Sequence, residues 1–443
     1  MSIKTIESIY ALKEIQKRNG ERGAHRYIIS NNQTALNVME TFAMLNLCGF
    51  DNELPVDVIP LFETVEDLEN AENVMRQLYT NTTYRYHLSK RKNKQTIMLG
   101  FSDGTKDGGY LMANWGIFKA KEALTKVSRE FDIEVIFFDG RGGPPARGGG
   151  KTHQFYASLG PTIEDKEIQL TIQGQTISSN FGTLNSSQYN LEQLLSSGIK
   201  NDIFTKNQLN DQHRELMNDL ADTSYKAYVD FKNHPKFLPY LEQMSTLKYY
   251  AKTNIGSRPS KRGTSDKLDF SALRAIPFVG SWSQLKQNVP GFFGVGTAFK
   301  KYEDEGRFDE IVDFYNNSDF FKTLLENSMM SLTKSFFDLT AYMAEDEEFG
   351  EFWKLIYTEY KTTKRLLLKL SGHTELMENY PVGKASIVIR ENIVLPLLTI
   401  QQFALRKIQE LQKSGNSPEE LEIYEKMVMR SLFGNINASR NSA

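Results

Sequence analysis

The chain has 443 residues, about three domain lengths at roughly 150 residues each, or one large barrel with additions. Apolar residues make up 40% and charged residues 24%, which excludes a disordered polymer, and 53 basic against 55 acidic side chains exclude an overall pull toward nucleic acid. A single cysteine excludes an intramolecular disulfide and a cysteine metal cluster and points to a reducing, cytoplasmic setting; no run of uncharged apolar residues is long enough to predict a membrane span or signal peptide.

The start of the chain, MSIKTIESIYALKEIQKRNGERG, reads as a charged amphipathic helix. Cys48 lies in the apolar segment Thr41 to Phe50, where no basic neighbour lowers a thiol pKa, so a buried structural thiol is expected. From residue 26 to about 195, short apolar runs alternate with helical stretches. The runs are Tyr27 to Ser30, Val56 to Phe62, Thr96 to Phe101, Ile133 to Phe138 and Ile168 to Ile172. The stretches between them, such as TVEDLENAENVMRQLYT and GGYLMANWGIFKAKEALTKVSRE, place apolar residues three and four apart and predict helices. Run starts recur about every 30 to 40 residues, the size of a βα unit, which predicts an α/β fold with a parallel sheet or (β/α) barrel.

Five runs are too few to close an eight-stranded barrel, and only a fainter strand is expected around Ala275 to Val279. Beyond Phe181 helices dominate, interrupted by a basic stretch from Gly256 to Lys267. The last helix opens on a capping box, with Ser417 as N-cap, Pro418 first and Glu420 third, and Gly434 is its expected stop.

Polar chemistry follows the apolar runs, at the strand ends where parallel α/β folds build their sites. Glu63 follows the second run and Asp103 the third. Two carboxylates completed by water and substrate oxygens describe a Mg²⁺ or Mn²⁺ site, whereas the bland alternative makes each acid a helix N-cap, Asp103 for a helix beginning near Lys106. Lys106 adds a compact cation suited to an anionic co-substrate.

After the fourth run comes DGRGGPPARGGGKTH, residues 139–153, with six glycines, Arg141, Arg147, Lys151 and His153. Glycines let backbone amides and guanidinium groups approach an anion closely. A Walker phosphate loop is excluded, because Pro145 stands where that motif needs glycine. Arg258, Lys261 and Arg262 form a second basic cluster without interleaved aromatics, so nucleic acid is not the expected partner. Arg274 stands in apolar sequence and calls for an anion. The six histidines show no zinc spacing.

These motifs, VIPLFET, GFSDGTKDGG, GRGGPPARGGG, TIQGQTISSNFG, SRPSKR, LRAIPF and the terminal RNSA, resemble in order the C-terminal half of the phosphoenolpyruvate carboxylase family. The resemblance implies the C-terminal part of a (β/α)8 TIM-type barrel with extensive added helices. Residues 1–300 would carry metal and substrate loops, and residues 301–443 a helical effector region. It implies carboxylation of phosphoenolpyruvate by bicarbonate to oxaloacetate and phosphate, through carboxyphosphate and an enolate.

By position, Glu63 and Asp103 would hold Mg²⁺ or Mn²⁺. Arg141 and Arg274 would hold phosphoenolpyruvate, Lys106 and Arg258 would flank bicarbonate, and Arg147 would ride the mobile loop. Lys334, Arg390 and Asn441, with Arg147, would bind aspartate or malate as feedback inhibitor. Asp139 stands where the family usually has histidine, and its carboxylate could pair with Arg141 or Arg147. The resemblance further implies a partner in the family's N-terminal half, which contributes a histidine and an arginine, a homotetramer when complete, and little activity of this chain alone. Two alternatives are a non-catalytic regulatory remnant and another Mg²⁺-dependent phosphoenolpyruvate or pyruvate barrel enzyme.

Overall fold

The computed structural model describes residues 3–50, 54–203, 209–250, 252, 269–270, 273–415 and 417–439. It falls into two compact units interleaved along the chain. The first comprises Met1–Gly104, Gly116–Gly140 and Leu159–Thr171, and the second Thr105–Trp115, Arg141–Ser158 and Ile172–Ala443.

The first unit is built on five parallel strands: β1 (Arg26–Ile29), β2 (Asp57–Phe62), β3 (Lys94–Gly100), β4 (Glu134–Gly140) and β5 (Ile168–Leu170). They lie side by side in chain order, so every expected run is a strand of one sheet. β2, β3 and β4 are mostly buried, as a sheet covered on both faces by crossover helices requires, while β1 and β5 are partly open edges. Register pairs Leu99 with Asp139 and Gly100 with Gly140, which brings the ends of β3 and β4 level.

The crossover helices start where their caps direct. Thr64 accepts a hydrogen bond from the Asp67 amide, and the Asp67 carboxylate accepts one in return from the Thr64 amide. The Val65–Thr80 helix that follows buries Leu68, Ala71, Met75 and Leu78 at three- and four-residue spacing. Cys48 caps the Ala35–Leu47 helix and is half-buried, not fully buried as expected.

The second unit is helical, around an aromatic core. Phe231 stacks on Phe293 at 4.0 Å and on Phe352 at 5.3 Å, and Phe237, Tyr240 and Trp282 pack beside them. Such pairs add about 0.5–1.5 kcal/mol each beyond the burial of area.

Three local expectations are corrected. Residues 275–279 form the start of the Ala275–Gln284 helix, not a strand. A short apolar run fits either element, and Pro277 is tolerated because first-turn amides have no helical partner. Asp103 lies inside the Phe101–Gly108 helix, in its first turn, so it does not cap a helix beginning near Lys106. Gly434 lies within the Pro418–Ser439 helix, where a β-carbon would come 3.2 Å from Leu397. Its bare backbone serves the packing of that helix on Pro381–Ser414, not a stop. The Pro381–Ser414 helix is long and apolar enough to cross a bilayer by length and composition. One of its sides is buried and includes Gln401 and Gln402.

Candidate active site and effector pocket

In the first unit, Glu63 and Asp103 follow the carboxyl ends of the adjacent parallel strands β2 and β3. Both expected metal acids therefore emerge at the same end of the sheet. Gly100 permits the close approach, since a β-carbon there would stand 3.3 Å from Cα of Glu63. Glu63 is buried, and its Oε2 accepts a 2.9 Å hydrogen bond from the amide of Asn31 beyond β1. Capping does not explain Glu63, because Thr64 caps the next helix. Asp103 is half-buried, and among the described residues none hydrogen-bonds its carboxylate. Its place in a helix's first turn favours negative charge. No cluster of three or more His, Cys, Asp or Glu residues suited to a metal occurs among the described residues. Two hard oxygen donors leave coordination positions for water and substrate, which fits Mg²⁺ or Mn²⁺ and not zinc.

Asp139 has an unexpected partner. Its Oδ2 lies 2.7 Å from the ammonium of Lys121, and both side chains are only 1% exposed. The carboxylate expected to face Arg141 or Arg147 is thus engaged by a crossover-helix lysine. The signal was present: Lys121 falls four residues after Ile117 and three before Leu124, on the apolar face of GIFKAKEALTKV.

In the second unit the glycine loop closes on itself. The Gly142 amide donates to the Arg147 carbonyl at 2.6 Å, and the Arg147 and Gly149 amides both donate to the Pro144 carbonyl. Gly148 has φ 77°, and a β-carbon on Gly149 would lie 1.9 Å from the Gly143 carbonyl oxygen, so glycine is required at both positions. Arg141 and Arg147 are buried. Arg141 donates to the Gly148 carbonyl and lies 4.5 Å from the ring centre of Phe155, while Arg147 donates to Gln173 at 2.8 Å.

The loop exit is tied down by residues that the sequence reading did not pair. Lys151 lies 2.8 Å from Glu326, which also accepts from Asn379 at 2.6 Å. Burial, reinforced by the charge of Lys151, holds the His153 imidazole below its usual range.

Lys106 is buried and donates to the carbonyls of Phe270 and Leu273, at 3.1 and 2.7 Å, immediately before Arg274. Arg274 is half-buried at the N-cap position of Ala275–Gln284. Arg258, with Lys261 and Arg262, lies outside the described residues.

The expected effector residues Lys334 and Arg390 line one pocket, with Lys286, Glu391 and Asn435. Burial, then the charges of Lys286 and Arg390, push the Lys334 ammonium down to about 8, against a smaller upward pull from Glu391. Arg147 is not among the residues lining this pocket, and Asn441 lies outside the described residues. A family model described as phosphoenolpyruvate carboxylase matches residues 2–439 of the chain.

Proposed function

Because the chain belongs to the phosphoenolpyruvate carboxylase family, we propose that it serves the carboxylation of phosphoenolpyruvate by bicarbonate, giving oxaloacetate and phosphate. The observation that carries this reading is the pairing of the family match with two acids, Glu63 and Asp103, at neighbouring strand ends. Those carboxylates would hold Mg²⁺ or Mn²⁺, which when bound stabilises negative charge on phosphate and enolate oxygens.

Arg141 and Arg274 would bind the phosphate and carboxylate of phosphoenolpyruvate. For Arg141 this exchanges the neutral Gly148 carbonyl for charged oxygens, a stronger class of hydrogen bond. Arg147, on exchanging Gln173 for substrate, would close over it and keep water from the reactive mixed anhydride. Lys106 and Arg258 would orient bicarbonate. The sheet supports the barrel reading: its five parallel strands run in chain order with no reversal, the winding of a (β/α)8 barrel and not of a doubly wound sheet. Lys334 and Arg390 in one pocket support a dicarboxylate inhibitor, aspartate or malate.

The test is bicarbonate-dependent oxaloacetate formation, read by coupled reduction to malate. Turnover that requires bicarbonate and that Glu63→Gln and Asp103→Asn abolish would support the reading. Bicarbonate-independent turnover would exclude the reading. Asp139 favours a second reading, a regulatory remnant, since a carboxylate buried against Lys121 does not replace an imidazole that contacts substrate. Under that reading, dicarboxylate binding persists while no oxaloacetate forms.

A further inference from the structure

The exit of the glycine loop is fastened more firmly than a surface turn needs. The side chains of Lys151 and Glu326 are only 9% and 8% exposed, with Nζ 2.8 Å from Oε2. The other carboxylate oxygen accepts from Nδ2 of Asn379 at 2.6 Å, and the ammonium lies 4.7 Å from the ring centre of Tyr380. The backbone is held as well, because the Lys151 amide donates to Oδ1 of Asn327 at 3.1 Å. Lys151 is thus gripped by two consecutive residues of the Asp319–Thr333 helix and by the two residues that lead into the Pro381–Ser414 helix. Gly150, at φ 98°, lets the chain come this close, since a β-carbon there would collide with the Asn327 amide group.

Stability does not account for such a clamp. Desolvation of a buried ion pair consumes most of its attraction, and apolar residues of the same volume are often as stable. A buried pair can instead select one arrangement among several. The hydrogen bonds that close the loop on itself end at Gly149, two residues before Lys151, so the loop is a self-closed body joined through Gly150 to a fixed point. The role of that point rests on the carboxylase reading: we propose that Glu326 is a positioning residue for the reaction. Through Lys151 it anchors the loop exit, so that Arg147 turns about Gly148 and Gly150 from a stationary base and closes over phosphoenolpyruvate in one place. Glu326 acts through the loop and not on the substrate.

Amide hydrogen exchange and calorimetric titration of the intact chain test this together. Glu326→Gln keeps the volume and an acceptor oxygen but removes the charge that holds Lys151. The Lys151 amide should then exchange about tenfold or more faster. Gly142, Arg147 and Gly149, bonded within the loop, and the amides of the Asp319–Thr333 helix should keep their wild-type rates. Lys151→Arg retains a cation for the carboxylate and should keep most of the protection. Phosphoenolpyruvate affinity should fall about tenfold in Glu326→Gln, while Mn²⁺ affinity at Glu63 and Asp103 stays unchanged. A wild-type exchange rate at Lys151, a released amide with undiminished phosphoenolpyruvate affinity, or faster exchange throughout the helix would each overturn the proposal. A wild-type chain that binds no phosphoenolpyruvate would overturn the carboxylase reading instead, with exchange at Lys151 still deciding whether Glu326 anchors the loop.

Discussion

Lys121→Met removes the ammonium from a pair whose members are each 1% exposed and 2.7 Å apart. Methionine approximates the length of the lysine stem, so the perturbation is mainly electrostatic. Removing one partner of a pair this buried should cost about 3–5 kcal/mol, far more than an exposed pair at about 0–1 kcal/mol. Lys121→Met with Asp139→Asn removes both charges and should cost much less than the single change, leaving a coupling of about 2–4 kcal/mol in the double-mutant cycle. Urea unfolding followed by circular dichroism measures this, with the single variant's midpoint expected to fall and the double variant's to recover most of the loss. Asp139→His, which restores the family's usual residue, should also destabilise, because an imidazole would face the Lys121 ammonium. Adding Lys121→Met should relieve that loss. A cost below about 1 kcal/mol for Lys121→Met, with no coupling to Asp139, would refute the claim that this lysine holds the carboxylate in place.

Asp103→Asn should weaken Mn²⁺ binding, monitored by electron paramagnetic resonance of the free ion, by about tenfold or more, because one of two charged oxygen donors is lost; unchanged binding would remove Asp103 from the site. Gly149→Ala should break the loop's closure, since its β-carbon would meet a carbonyl oxygen at 1.9 Å. Faster amide exchange at Gly142 and Gly148 is the readout, and unchanged exchange would show that the turn accepts a side chain. Dicarboxylate affinity should hold steady below about pH 8, where Lys334 is protonated, and fall by up to about tenfold per unit above it as the ammonium is lost. The stability effect has the opposite sign. The folded lysine binds its proton more weakly than the ordinary lysine value of 10.5, so between about pH 8 and 10.5 the unfolded chain holds more protons and the ligand-free protein gains stability as pH rises. A flat affinity profile from pH 7 to 9.5 would contradict the low value for Lys334.

Local pattern determined much of this protein. Alternation of apolar runs and three-to-four spacing located all five strands, and chain order alone placed Glu63 and Asp103 beyond successive strand ends. The glycine loop was equally legible, because φ 77° at Gly148 and the contact at Gly149 are demands that only glycine meets locally. Residues 275–279 were misread, since five apolar residues carry no period long enough to separate strand from helix. Gly434 was misread because the helix that needs its bare backbone lies 37 residues upstream, at Leu397.

The remaining features belong to tertiary structure alone. Lys121 could be placed on a buried face from sequence, but its choice of Asp139 over any other acid follows from how that helix returns across β4. The pocket joining Lys286, Lys334, Arg390, Glu391 and Asn435 draws on four separate helical regions. Sequence determines which side chains a helix presents, because that periodicity is local. Which charges then share a pocket, and so shift one another's proton affinity, depends on distances between elements, and those are set only when the helices pack.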